Sequence, residues 1–300
     1  MSMRKNLFPL FVLVPVLIWI GIFIFYPLLY SIWASLHLWI PEKPWSSVFV
    51  GLNNYIKLFS SDPKFIVSIK NTFIYVGIKT AAVVVIGIAI ALLLNQAAKI
   101  QKYFIYSVFL PFLCPAAAIG ILFLYFYQPT FGLFNSILNF LHIPTQGFLS
   151  NSAQAIYCVI AADVWQTIGF STLIFFTGLK SMPGTFLEAA RVDGAGPFRS
   201  FFNVTFPLLG DTFLFIIVYT MINAFQVFDF IFVMTVSGGG TGGTAGGPGI
   251  SSFVLSLMVY NEGMLRMQID KGAAVSIIMF IAIFILAIFQ YKILKPKWEY

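Results

Sequence analysis

Asp163, Gln166, Thr167 and Phe170 stand at i, i+3, i+4 and i+7, so a helix carries all four on one face. A carboxylate, an amide, a hydroxyl and an aromatic ring suit a sugar: polar groups take its hydroxyls, and the ring stacks on its apolar face. Thr220, Asn223, Gln226 and Asp229 recur every third residue and again share a face. Both sets lie in apolar runs, where polar groups are costly to bury and are expected to be functional. They are the candidate substrate-binding residues; polar packing between helices is the alternative for each set. Trp165 reads as packing. No catalytic or metal-binding residue is expected, because His37 and His142 lie far apart and no nucleophile or metal spacing is present. The glycine run from Ser237 to Gly249 lacks Gly-Lys-Ser/Thr, so it reads as a flexible surface linker, not a phosphate loop.

The elements that must position these residues are membrane helices. Hydrophobic residues make up 60% of the chain and charged ones 9%, and mean hydropathy is +0.94. That composition excludes a soluble domain. The net charge of +7 is spread along the chain without a long basic cluster, which argues against nucleic acid and for orientation in a membrane. The expected fold is an all-α integral membrane protein, one domain over residues 1–300. Six transmembrane helices are expected near 8–36, 71–96, 103–127, 154–179, 208–236 and 271–291. Pro111 and Pro115 fall inside the third. Lys79 is expected to snorkel from near the outer end of the second. Cys114 and Cys158 read as small buried hydrophobes. A partly buried short helix is expected around residues 131–135, and one on the outer face between residues 251 and 270. Arg4, Lys5, Lys99, Lys102, Lys180, Arg191, Arg199, Lys292, Lys295 and Lys297 fall on the side of both termini, which makes that side cytoplasmic.

One polar island interrupts the apolar pattern, in the loop over residues 180–207. Leu187-Glu188-Ala189-Ala190 favours a helix start, Gly194 punctuates it, and Pro197 suits the first turn of a second helix. Thr205-Phe206-Pro207-Leu208 leads back into an apolar run. The island reads as helix, tight bend, helix at the membrane surface.

This island resembles the EAA loop of membrane subunits of ATP-binding-cassette (ABC) importers, through Glu188, Ala189, Ala190, Gly194 and Pro207. Phe206 stands where that family often has Leu. The resemblance to maltose-type sugar permeases runs from about Phe8 to Lys295. It is also carried by Gly51-Leu52-Asn53-Asn54-Tyr55, Trp165-Gln166-Thr167-Ile168-Gly169-Phe170, Gly178-Leu179-Lys180-Ser181-Met182-Pro183 and Phe225-Gln226-Val227-Phe228-Asp229. It implies a type I ABC importer permease fold whose island is a cytoplasmic coupling helix. Glu188, Ala189, Ala190, Asp193, Gly194 and Pro207 would then meet the ATPase. The implied partners are a second, paralogous permease, two ATP-binding subunits, an extracytoplasmic solute-binding protein and membrane lipid, in a bacterial or archaeal cell membrane. No cofactor is expected on this chain: without Walker A Gly-Lys-Ser/Thr it is not the ATPase, and ATP and Mg belong to the partner.

Three functions fit to different degrees. A sugar importer accounts for both the stripes and the island. An importer of the same build for glycerol phosphate would want an Arg or Lys at mid-depth, and apart from Lys79 the chain offers none. A channel or secondary transporter would use Asp163 and Asp229 as ion ligands but leaves the island unexplained.

Overall fold

A computed structural model describes residues 7–40, 42, 47–96, 101–236 and 245–294. In chain order the helices are α1 (Leu7–Ile20), α2 (Tyr26–Ser35), α3 (Asn53–Ser61), α4 (Pro63–Gln96), α5 (Gln101–Phe109), α6 (Ala116–Phe126), α7 (Leu133–Phe140), α8 (Ala155–Ser181), α9 (Gly184–Val192), α10 (Pro197–Ser200), α11 (Phe206–Leu208), α12 (Gly210–Phe225), α13 (Asp229–Val236), α14 (Leu255–Tyr260) and α15 (Ile269–Leu294). A two-stranded antiparallel ribbon, β1 (His37–Leu38) and β2 (Val48–Phe49), follows α2. Among the described residues, four helical stretches are long and apolar enough to cross a membrane: Leu13–Ser35, Pro63–Gln96, Ala155–Ser181 and Ile269–Ile293. Two bent pairs raise the number to six if each is one span.

Three of the expected helices differ in form. The second begins at Pro63, not residue 71. Asp62 Oδ1 accepts the Lys64 N–H at 3.0 Å, so Asp62 caps the helix and Pro63 takes its first position. The third is broken. Leu110–Leu113 tightens to a 3₁₀ turn, and the two halves bend by 97° at Cys114-Pro115. The two prolines remove ladder donors there, and neighbouring groups cover the gap. The fifth stops at Phe225 after 16 residues, about 24 Å of rise, and resumes as α13. Ser256 Oγ donates to the Val227 carbonyl in the break.

The chain divides into two compact units. One comprises the described parts of Met1–Phe65 and Met258–Ile281. Its Asn54 Nδ2 donates to the carbonyls of Ser35 and His37 at 2.9 and 3.0 Å, and Tyr55 Oη donates to Ser35 Oγ at 2.7 Å. Those bonds give the Asn53-Asn54-Tyr55 stretch its task, tying α3 to the end of α2. Lys271 Nζ sits 2.6 Å from Asp62 and 3.2 Å from Glu262, which also pairs with Arg266 at 3.1 Å. Burial pushes the Asp62 carboxyl up, but the Lys271 ammonium and the Lys64 and Phe65 N–H groups outweigh it and hold the carboxyl below its ordinary range.

The other unit comprises Ile66–Leu257 with the described part of Ala282–Tyr300. At its centre is α8, and glycines let its neighbours close in. A Cβ on Gly169 would lie 2.7 Å from Phe109 Cα, and one on Gly178 would lie 2.8 Å from Thr212 Oγ1. Asn71 Nδ2 donates to the carbonyls of Ile250, Ser251 and Phe253 at 3.0–3.2 Å, and Thr72 Oγ1 accepts the Leu255 N–H at 3.0 Å. The short helix expected between residues 251 and 270 is present as α14. Phe253, Val254, Leu255 and Leu257 are at most 3% exposed, and α14 begins inside the packing. The short helix after residue 131 is present as α7, with Asn135 buried. Cys158 is buried as expected, whereas Cys114, at the bend, is exposed.

Candidate functional site

The polar residues of α8 meet those of α12 and α13 in a cavity of about 250 Å³. Asp163, Gln166 and Thr167 line it from α8, and Asn223, Gln226 and Asp229 from α12, the break after it and the start of α13. Six of the eight stripe residues are thus brought together. The other two are not. Phe170 stacks on Phe112 and meets Tyr219 at a tilt, with centroids 4.8 and 4.7 Å away, and it supports those rings without lining the cavity. Thr220 is 1% exposed and faces away, because every-third spacing drifts around a helix of 3.6 residues per turn. Tyr219 takes its place.

Lys79 also lines the cavity, and this overturns the snorkelling expectation. It is 4% exposed and lies sixteen residues, about 24 Å, from the first residue of α4. Its Nζ is 2.7 Å from Asp163 Oδ2. Tyr75 Oη donates to the same oxygen at 2.7 Å, and Thr167 Oγ1 donates to Asp163 Oδ1 at 3.2 Å. Charge on Lys79 is therefore met inside the protein.

Gln166 has a second task. Its Nε2 donates to the Cys114 carbonyl at 2.7 Å, covering a group that the bend between α5 and α6 releases. Asn223 Nδ2 donates to the Tyr219 carbonyl one turn back at 2.8 Å. Phe112, Tyr219 and Phe228 supply aromatic walls, so hydrogen-bonding groups and rings face one space. The sequence patterns missed Lys79, Tyr219, Phe112 and Phe228, because the chain places their elements against α8 only in three dimensions. A larger cavity, about 740 Å³, belongs to the first unit and is lined by Lys57, Asp62, Arg266 and Asp270 among others. No stripe residue reaches it.

The island folds as helix, bend, helix. Glu188, Ala189 and Ala190 sit within α9, which starts at Gly184 and not at Glu188. Gly194 N donates to Arg191 O at 3.0 Å and Ala195 N to Ala190 O at 2.9 Å, with Gly194 at φ +73°. Those bonds form a Schellman motif, which wants glycine at the left-handed position. Glu188, Ala189, Asp193, Gly194 and Pro207 are exposed, and Ala190 is buried. Val192 is 87% exposed and Phe198 83%. Apolar side chains are thus held out on both sides of the bend.

Residues 63–300 match the family described as "Binding-protein-dependent transport system inner membrane component". The chain belongs to that family. The trehalose/maltose transport system permease protein MalF of Thermococcus litoralis is 32% identical over 287 residues, covering 94% of this chain and 91% of that protein. The sn-glycerol-3-phosphate transport system permease protein UgpA of Yersinia pestis is 29% identical, covering 97% of this chain and 95% of that one. A bacterial ABC transporter involved in import of the acidic polysaccharide alginate shares the fold at TM-score 0.83 and 20% identity, covering 99% of this chain and 98% of that one. The same comparison shows a type I ABC permease fold. This permease is therefore a multi-pass, non-catalytic membrane subunit of a binding-protein-dependent ABC importer; ATP hydrolysis belongs to a partner.

Proposed function

We propose that this permease imports a sugar, and that the cavity between α8 and the α12–α13 break is its share of the solute path. The observation that carries this reading is the lining itself: Gln166, Thr167, Asn223 and Gln226 offer amides and hydroxyls beside the rings of Phe112, Tyr219 and Phe228. At about 250 Å³ the space is below the roughly 300–1,000 Å³ of complete small-molecule sites, which fits half a site completed by a second, paralogous permease. The loop from α9 to α11 is the coupling element. Its exposed Val192 and Phe198, with Glu188 and Ala189 between bend and membrane, dock on one of two ATP-binding subunits at the cytoplasmic face. An extracytoplasmic binding protein delivers the solute, six spans cross the cell membrane, and both termini are cytoplasmic. Residues 237–244 of the glycine run and most of the terminal basic residues behind this topology lie outside the described residues; the described end of the run is not a surface linker, since Gly246 and Gly247 are buried and Gly246 N donates to Thr235 Oγ1 at 2.7 Å.

Glycerol phosphate is the second reading. It is favoured by Lys79 in the cavity and by the substrate named for the UgpA relatives. Against it, the ammonium is already engaged by Asp163. The test is ATP-dependent uptake into liposomes holding the complete transporter, with trehalose, maltose and sn-glycerol 3-phosphate as solutes. A sugar is expected to be carried. Asn223→Leu and Gln226→Leu are each expected to lower its uptake per assembled complex by about 2–13-fold, the equivalent of one neutral hydrogen bond. Uptake that persists without ATP or without binding protein, or that both variants leave unchanged, defeats the proposal.

A further inference from the structure

The cavity wall carries one lysine and two aspartates on three elements: Lys79 on α4, Asp163 on α8 and Asp229 at the start of α13. Lys79 is 2.7 Å from Asp163 Oδ2, and both side chains are 5% exposed. The Asp163 carboxylate takes donors from Lys79, Tyr75 and Thr167. Lys79 and Asp163 cancel, and Asp229 leaves the wall negative.

We infer that Asp163 is a built-in counter-ion that occupies Lys79 in place of an anionic solute, and so makes the cavity selective for uncharged solutes. This inference rests on the cavity being the solute path. A solute anion must compete for Lys79 with a carboxylate that is covalently held beside it and bonded by two further donors. An intramolecular partner of that kind has a large effective concentration and has no translational freedom to lose. It must also approach Asp229, a like charge on the same wall. A neutral polyol meets neither obstacle and finds the amides and hydroxyls free of net charge. The pair is thus the determinant that separates a sugar from a sugar acid or a phosphate ester of similar size.

The sign of the charge left behind makes the inference testable from both directions. Asp163→Asn keeps the shape and frees Lys79, so the wall gains a positive group. Lys79→Gln leaves two carboxylates. The measurement is equilibrium dialysis of labelled glucose, glucuronate and glucosamine against the purified, assembled transporter without its binding protein. Wild type is expected to bind glucose at least tenfold more tightly than glucuronate. Asp163→Asn is expected to gain at least tenfold for glucuronate, and Lys79→Gln to gain several-fold for glucosamine. Both gains are expected to vanish in Lys79→Met/Asp163→Asn. Equal binding of glucose and glucuronate by wild type overturns the inference, and that arm requires no variant to assemble. A gain for glucuronate that survives removal of Lys79 also overturns it, as does an Asp163→Asn complex with no gain. Dialysis involves no ATP or transport. Failure of ATP-dependent uptake therefore strikes the proposed function, while failure of charge discrimination with uptake intact strikes only the counter-ion.

Discussion

Asp163 was legible as a membrane-embedded carboxylate, but its partner was not. The Lys79 position hinged on where α4 begins. Polar Lys64 and Lys70 make residues 63–70 look like loop, yet Asp62-Pro63 is a cap followed by a first-turn proline, and that signal was present in the sequence. With the start moved back, Lys79 leaves the interface and has to be paired. Asp163→Ala strands its ammonium at a cost of about 3–5 kcal/mol. The expected result is a lower yield of assembled transporter and a lower Tm, partly restored by adding Lys79→Met; an unchanged Tm in the single variant counts against the buried pair. The Asp62–Lys271 pair behaves differently because it is more exposed. A carboxylate held below its ordinary value stabilises the fold above that ordinary value, near ~4, and the contribution is lost as pH falls through the depressed one. Tm measured downward from pH 6 is expected to fall more steeply for wild type than for Asp62→Asn. Parallel curves would show that the pair contributes nothing.

Among the elements, the long apolar runs were legible and their breaks were not. Hydropathy sees composition, and the stretch Tyr103–Phe126 is apolar on both sides of its 97° bend. Proline at 111 and 115 permits a bend without specifying it; in the folded chain Gln166 takes up the Cys114 carbonyl there. The island was read more completely, because capping chemistry is local. Glycine is needed there for its backbone: a Cβ on Gly194 meets nothing within 4 Å, whereas φ is +73°. The left-handed conformation costs an ordinary residue roughly 1–2 kcal/mol. Gly194→Val is expected to reduce co-purification of the ATPase and uptake together. Gly194→Asn, which tolerates that conformation, is expected to keep both near wild type. Equal loss in the two variants would place the requirement in the partner's cleft instead of the backbone.

For the whole molecule, the family and its class of work followed from one loop plus composition, while the cavity required residues from four separate stretches. Stripe spacing brought Gln166 and Asn223 to the cavity correctly but misplaced Thr220, since a period of three drifts around a helix of 3.6 residues per turn, and Phe170, whose ring is taken up by Phe112 and Tyr219. Orientation is tested at this scale. In a background with Cys114→Ser and Cys158→Ala, Ser152→Cys is expected to react with an impermeant maleimide added to intact spheroplasts, and Ser200→Cys only after permeabilisation. The reverse order would invert the topology and remove the island from the ATPase.

That background is needed because of the bend. Of the two cysteines in the chain, Cys158 is buried and Cys114 is exposed at the point where α5 gives way to α6. Its own carbonyl is gripped by Gln166, a wall of the cavity, and Phe112 two residues earlier is another. The native chain therefore carries a kinetic reporter of its own. The alkylation half-time of Cys114 by N-ethylmaleimide serves as a clock on the bend, read in the unaltered transporter, and solute settling against Gln166 is expected to slow it.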